Sequence, residues 1–170
     1  MLKISAKPES IILDAFATRL MTNYSNPTPT VDVILQRDSK VLMVRRKKNP
    51  YKDRLALPGG FVNEGETVEE AMKREAMEET SFEVEPVDIL GVYSDPKRDP
   101  RKHIVTIVFI GIIVGGNSRA GDDAAGIEWV KIDDIIKLQQ IAFDHAQILH
   151  DYCQWKHSGG TFWSTKRRND

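Results

Sequence analysis

The stretch GGFVNEGETVEEAMKREAMEETSF at residues 59–82 concentrates the residues that could do chemistry. Thr67–Thr80 is rich in helix formers. Turned at about 100° per residue, Val68, Ala71 and Met72 make an apolar stripe, and Glu75 and Glu79 continue it with Glu78 at its edge. Glu69, Glu70, Lys73 and Thr80 fall toward the opposite side, and Arg74 lies away from the stripe. A charge run on a helix is ordinarily a solvated face. Here three carboxylates follow the apolar residues toward the body of the protein, and together they need a positive partner. Oxygen-only ligands suit a hard divalent cation, Mg²⁺ or Mn²⁺, and Mg²⁺ is commonly shared with substrate phosphates. The expected chemistry is metal-assisted reaction at phosphate. Gly59-Gly60, just ahead, permits close approach of backbone to a ligand, although a glycine pair alone is also an ordinary turn.

Flanking elements must hold this stretch in place. Residues 9–24 (ESIILDAFATRLMTNY) put Ile12, Ala15, Phe16, Ala17 and Leu20 near helical spacing, which predicts an amphipathic helix. Asn26-Pro27-Thr28-Pro29 ends it. Thr30–Leu35 and Lys40–Val44, joined at Arg37-Asp38-Ser39, predict a hairpin. Phe82–Val92, His103–Val114 and Ile127–Ile132 read as strands, with a turn cluster at Asn117–Asp122. Helices are expected near Asp133–Leu138 and Phe143–Trp155. Strands and helices mix without a regular βαβ repeat, which predicts an α+β fold with helices packed on a mixed sheet. The last fifteen residues, KHSGGTFWSTKRRND, are rich in Gly, Ser and basic residues and are expected to be loosely held.

The spacing Gly60, Glu66, Arg74-Glu75, Glu78-Glu79 and Ser81 resembles the signature of the Nudix hydrolase family, with every charged position in register. The departure is Ser81, where the family usually has Gly; a left-handed backbone there costs Ser about 1 kcal/mol. The segments NPYKDRLALPGGFV, GVYSDPKRDPRKHIVTIVFIG, GDDA and AFDHAQILHDY are similar to the ADP-ribose pyrophosphatase branch, as is Pro96, fifteen residues past Ser81. Leu55 departs, since relatives often carry an aromatic residue there. The resemblance covers residues 30–153 and leaves a helical extension, 1–29, and a basic tail, 154–170. It implies an α/β/α sandwich and Mg²⁺-dependent hydrolysis of ADP-ribose to AMP and ribose 5-phosphate, with Mn²⁺ as a substitute ion.

Carried over by position, the resemblance makes Glu75, Glu78 and Glu79 metal ligands, with the Gly59 carbonyl as a further one. Gly60, Glu66 and Arg74 brace the loop against the helix. The general base is a box glutamate in some members and a later acid in others, so Glu75 and Asp123 are the catalytic candidates, Asp123 being preferred to Asp122. Arg46, Arg54, Arg98, Arg101 and His103 are candidate substrate contacts, because Arg offers bidentate bonds to phosphate oxygens. His145 beside Phe143 reads as a packed, hydrogen-bonded residue, and Tyr152, Trp155 and Trp163 as packing rather than stacking on a base. Other nucleotides, among them an oxidised deoxynucleoside triphosphate, NADH or a sugar nucleotide, are alternative substrates. A non-catalytic ADP-ribose sensor is disfavoured by the intact box acids and by the seventeen residues that follow Cys153, too few for a winged helix.

The bulk composition reads as a soluble, intracellular globular chain and does not by itself name an activity. Lys plus Arg total 24 against 25 for Asp plus Glu, a formal charge of −1 that argues against a general nucleic-acid binder. One cysteine, Cys153, excludes an intramolecular disulfide or a Cys-rich zinc site. The longest apolar run, Ile104–Gly116, is thirteen residues, short of the roughly 20 that span a bilayer. With no leader pattern at MLKISAKPES, the expectation is a cytoplasmic protein without membrane or nucleic-acid partners, acting as a homodimer as the family commonly does.

Overall fold

The computed structural model describes residues 25–116, 126–137 and 140–166. The expected helix over 9–24 and the Asp122-Asp123 pair lie outside them. In chain order the elements are β1 (Thr28–Arg37), β2 (Lys40–Arg45), β3 (Leu55–Ala56), β4 (Gly59–Phe61), α1 (Val68–Thr80), β5 (Phe82–Tyr93), β6 (Ile104–Gly116), β7 (Ile127–Lys131), α2 (Ile132–Lys137), α3 (His145–Ser158) and β8 (Phe162–Trp163).

β1 is the organising strand. It pairs antiparallel with β2 and β4 and parallel with β6, from Thr28↔Ile104 to Leu35↔Gly111. The sheet runs β3-β2-β1-β6-β5-β8, with β4 on β1 and β7 on β2. It is mixed, as the lack of a βαβ repeat predicts. Alternation along β1 feeds two cores. Val31, Val33 and Leu35 meet Ala71, Met72 and Ala76 of α1, whereas Ile34 joins Ile148, Leu149 and Tyr152 of α3. Helices thus cover both faces, the α/β/α sandwich. Each fully buried Ile, Leu or Met contributes roughly 1.5–3 kcal/mol of transfer free energy.

The segment 154–166 departs from the expected loose tail. α3 continues to Ser158, and β8 pairs in parallel with β5 through Gly91↔Phe162 and Val92↔Trp163. Phe162 is 3% exposed within the α3-side core. One aromatic anchor outweighs the polar composition around it.

Candidate active site

α1 starts and stops where its sequence directs. The Thr67 hydroxyl accepts the Glu70 N–H at 3.2 Å, and the Glu70 carboxylate accepts the Thr67 N–H at 2.8 Å, a reciprocal cap. Ser81 ends the helix in the left-handed region (φ 60°, ψ 20°), its N–H donating to the Met77 carbonyl. Thr80, expected on the outer side, is buried: its hydroxyl donates to the Ala76 carbonyl at 2.6 Å, and the chain turns back into β5 over it.

The three box glutamates do not share one environment. Glu75 and Glu79 face inward, whereas the Glu78 side chain is 60% exposed. Glu79 lies mid-arc among the buried positions and Glu78 falls beyond its edge. Arg74, expected to lie away, folds over this side. It forks onto Glu66 at 2.7 and 2.9 Å, donates to the Phe61 carbonyl at 2.9 Å and reaches Glu75 at 2.7 Å and Glu78 at 3.7 Å. A long flexible side chain can cross a helix surface that the wheel assigns by Cα direction alone. Arg74 holds the Glu66 carboxyl down at about 2, with the Asn63 N–H assisting, and so ties the 59–66 loop to α1.

Both glycines are set by close approach. A Cβ on Gly60 would fall 2.3 Å from the Glu75 carboxyl carbon, and one on Gly59 would fall 2.1 Å from the Val31 carbonyl oxygen and 2.8 Å from Asp32 Oδ1. The Gly59 N–H donates to Glu79 at 3.1 Å. Even so, burial, with the Glu75 and Asp32 charges, pushes the Glu79 carboxyl up to about 7.

Asp32 is the inward acid that sequence reasoning missed. It is 8% exposed on β1 and accepts the Thr106 hydroxyl at 2.7 Å. The available signal was a carboxylate inside the otherwise apolar run VDVIL. With Glu75, Glu78 and Glu79 it lines a cleft of about 510 Å³.

The arginine candidates separate. Arg46 and Arg101 line the cleft. Arg46 donates to the Pro50 carbonyl at 2.9 Å and lies 4.6 Å from the Phe143 ring centroid, and its pKa is lowered by burial and by Arg101. Arg101 is held by Asp99 at 2.7 Å and stands 5.7 Å from the Phe143 ring and 5.9 Å from the Phe61 ring. Phe143 (φ 55°) packs edge-on against Tyr51 (φ 62°) at 5.0 Å. Left-handed backbone at both aromatic residues costs of order 1–3 kcal/mol each and survives only where packing enforces it. Arg98 also touches the cleft and forks onto Asp144 at 2.7 and 3.0 Å, as Arg101 forks onto Asp99, but its side chain is 4% exposed against 41% for Arg101, so Arg98 is the enclosed, structural member of the two. Arg54 and His103 are exposed and do not line the cleft: Arg54 lies over Tyr51, and His103 pairs with the Ser94 carbonyl. Tyr152 and Trp155 stack on each other away from the cleft. His145 is packed and hydrogen-bonded, and it also lines the cleft.

Among the described residues, no three His, Cys, Asp or Glu side chains already converge as a metal cage. Glu78 turns outward and Arg74 holds Glu75. The donor set nevertheless fits a hard divalent cation, since Glu79 is a half-buried carboxylate with one N–H donor and two acidic neighbours. Mg²⁺ typically takes only one or two protein carboxylates and completes its shell with water and phosphate.

Mixed sheet, capped acidic helix and glycine-cradled glutamates find their counterpart among known proteins: the Nudix domain family matches residues 26–152, and the chain belongs to the Nudix hydrolase family. Members use divalent metal ions. The chain is 50% identical, over 133 residues, to the ADP-ribose pyrophosphatase of Methanocaldococcus jannaschii, an alignment that covers 78% of this chain and 77% of that one. It is 29% identical to the ADPR-responsive transcriptional repressor NtrR of Acinetobacter baylyi over 75% of its own length, spanning about half (54%) of the repressor. Among solved structures, a mutT/nudix family protein from Listeria innocua superposes with a TM-score of 0.65 at 30% identity, covering 78% of this chain and 96% of that one. Among the described residues no helix is long and apolar enough to cross a membrane.

Proposed function

We propose that this protein is a Mg²⁺-dependent ADP-ribose pyrophosphatase: water attacks one phosphorus of the diphosphate, the bridging P–O bond breaks, and AMP and ribose 5-phosphate leave. The observation that carries this reading is the pair Glu75 and Glu79, turned inward beneath Gly59-Gly60 in a cleft bordered by Arg46 and Arg101. The 50% identity to an archaeal ADP-ribose pyrophosphatase supports the substrate.

Glu75, Glu78 and Glu79, with the Gly59 carbonyl as a further ligand, would hold the cation, Mg²⁺ or in its place Mn²⁺. The chemistry such an ion supplies is neutralisation of diphosphate charge and a more acidic bound water. Arg46 and Arg101 place guanidinium donors at the cleft, where their attraction for a diphosphate is stronger than it would be in open water. Glu66 and Arg74 keep the Gly59–Phe61 strand and α1 in register, so that Glu75 fits under Gly60. We assign removal of the water's proton to Asp123, between β6 and β7, with Glu75 as the second catalytic acid.

A product-resolved assay over ADP-ribose, NADH, a sugar nucleotide and a deoxynucleoside triphosphate, with and without Mg²⁺, tests the proposal. AMP from ADP-ribose, formed fastest and only with metal, is expected; equal or faster turnover of a triphosphate overturns it. We further assign the protein to the cytoplasm and to a homodimer, for which the exposed apolar side chains Val87, Ile112 and Val114 supply contact area. A monomer in equilibrium sedimentation would refute the dimer.

A further inference from the structure

His145 and Asp32 set a donor and an acceptor side by side in the cleft without joining them, and the proposed diphosphate chemistry gives neither atom a ligand. His145 is 3% exposed, and its Nδ1 accepts the Leu57 N–H at 2.9 Å. A ring nitrogen that accepts from an amide carries no proton, so the neutral imidazole has its hydrogen on Nε2. Nε2 stands 3.7 Å from Asp32 Oδ1, beyond hydrogen-bond range. Asp32 is fixed through its other oxygen, Oδ2, by the Thr106 hydroxyl at 2.7 Å. Among the described residues no fully enclosed side-chain nitrogen or oxygen lacks a hydrogen-bond partner. The unpaired Nε2 and Oδ1 therefore open onto the cleft, which both residues line.

We propose that His145 Nε2–H and Asp32 Oδ1 together bind one hydroxyl of the sugar attached to the second phosphate, and so select a sugar diphosphate over other diphosphate esters. A hydroxyl both donates and accepts, and an oxygen about 2.8 Å from each atom completes the pair across the 3.7 Å gap. A phosphate oxygen does not suit the place, because it would meet the Asp32 carboxylate without a proton to offer. Asp32 and Glu79 flank the same glycine: a Cβ on Gly59 would lie 2.8 Å from Asp32 Oδ1, and the Gly59 N–H binds Glu79 at 3.1 Å. The hydroxyl is thereby placed next to the diphosphate, where the attached sugar begins. This inference rests on the proposed ADP-ribose reading.

The test compares ADP-ribose with an alkyl ester of ADP, which keeps the diphosphate and lacks the second sugar. The wild-type protein is expected to favour ADP-ribose by about tenfold or more in kcat/KM. His145→Asn keeps an acceptor for the Leu57 N–H and removes the Nε2 donor; it should lose about tenfold on ADP-ribose, mostly in KM, and change the alkyl ester less than twofold. His145→Gln, whose amide nitrogen reaches toward the Nε2 position, should recover part of the loss. Equal wild-type rates on the two substrates, or equal losses on both in His145→Asn, overturn the inference and leave the ADP-ribose reading standing. A wild-type protein that does not cleave ADP-ribose at all overturns both.

Discussion

Glu79 meets two opposing demands at residue scale. Burial first, then the Glu75 and Asp32 charges, raise its carboxyl to about 7 from an ordinary 4.5, against the pull of the Gly59 N–H. Between those values the folded metal-free protein holds a proton that the unfolded chain releases. The associated stability is fully present below 4.5 and is lost as pH rises through about 7. In chelator, this group should lower Tm from about pH 5 to about pH 8, and Glu79→Gln should flatten that decline. Added Mg²⁺ should raise Tm more at the higher pH, because the ion binds the ionised carboxylate. Calorimetry showing the same metal-induced shift at both pH values would remove Glu79 from the ligand set. In turnover, Glu79→Gln should cost on the order of 10²-fold or more in kcat with the fold intact.

The strand-loop-helix unit from Gly59 to Ser81 sets how close Glu75 comes to the backbone. Gly60→Ala pushes a methyl group into the Glu75 carboxylate, which must swing away. The expected outcome is a fall in kcat of on the order of 10²-fold with little change in Tm, since the displaced group is a side chain rather than core. The other end of the unit offers the opposite test. Ser81 occupies a left-handed cap, so Ser81→Gly should stabilise by about 0.5–1 kcal/mol, or about 1–4 °C by thermal melting, and leave kcat unchanged. A loss of stability would mean that the Ser81 side chain makes a contribution larger than its backbone strain.

Across the whole molecule, residues distant in sequence decide how far the domain extends. Phe162, in a stretch whose composition resembles a tail, joins the core cluster that holds Tyr93 and Tyr152 and pins β8 to β5. Phe162→Ala should destabilise by about 3 kcal/mol and lower Tm by on the order of 10 °C, a cost that a loosely held tail would not carry. Denaturant titration separates the two outcomes. The same long-range assembly joins β1 to the loops before α1, after β5 and before α3, which is how Asp32, Arg101 and His145 reach one cleft.

What the chain determined by itself is local. The β1–β2 hairpin, the span of α1 and the glycine pair follow from residue type and spacing over a turn or two, because backbone periodicity acts over that range. The inward direction of Glu75 and Glu79 was legible for the same reason. Tertiary structure decided the rest. Arg74 crosses to Glu66 and Glu75, and Glu78 turns outward, because long side chains seek partners the wheel does not represent. Arg98 is committed to Asp144, and Arg54 and His103 stay outside the cleft, because reach depends on where the loops dock. Asp32 meets His145 only after β1 and the start of α3, more than 100 residues apart, are packed on one sheet. No spacing rule spans that distance, since hydrogen bonding and burial act through space between residues that local periodicity along the chain does not relate.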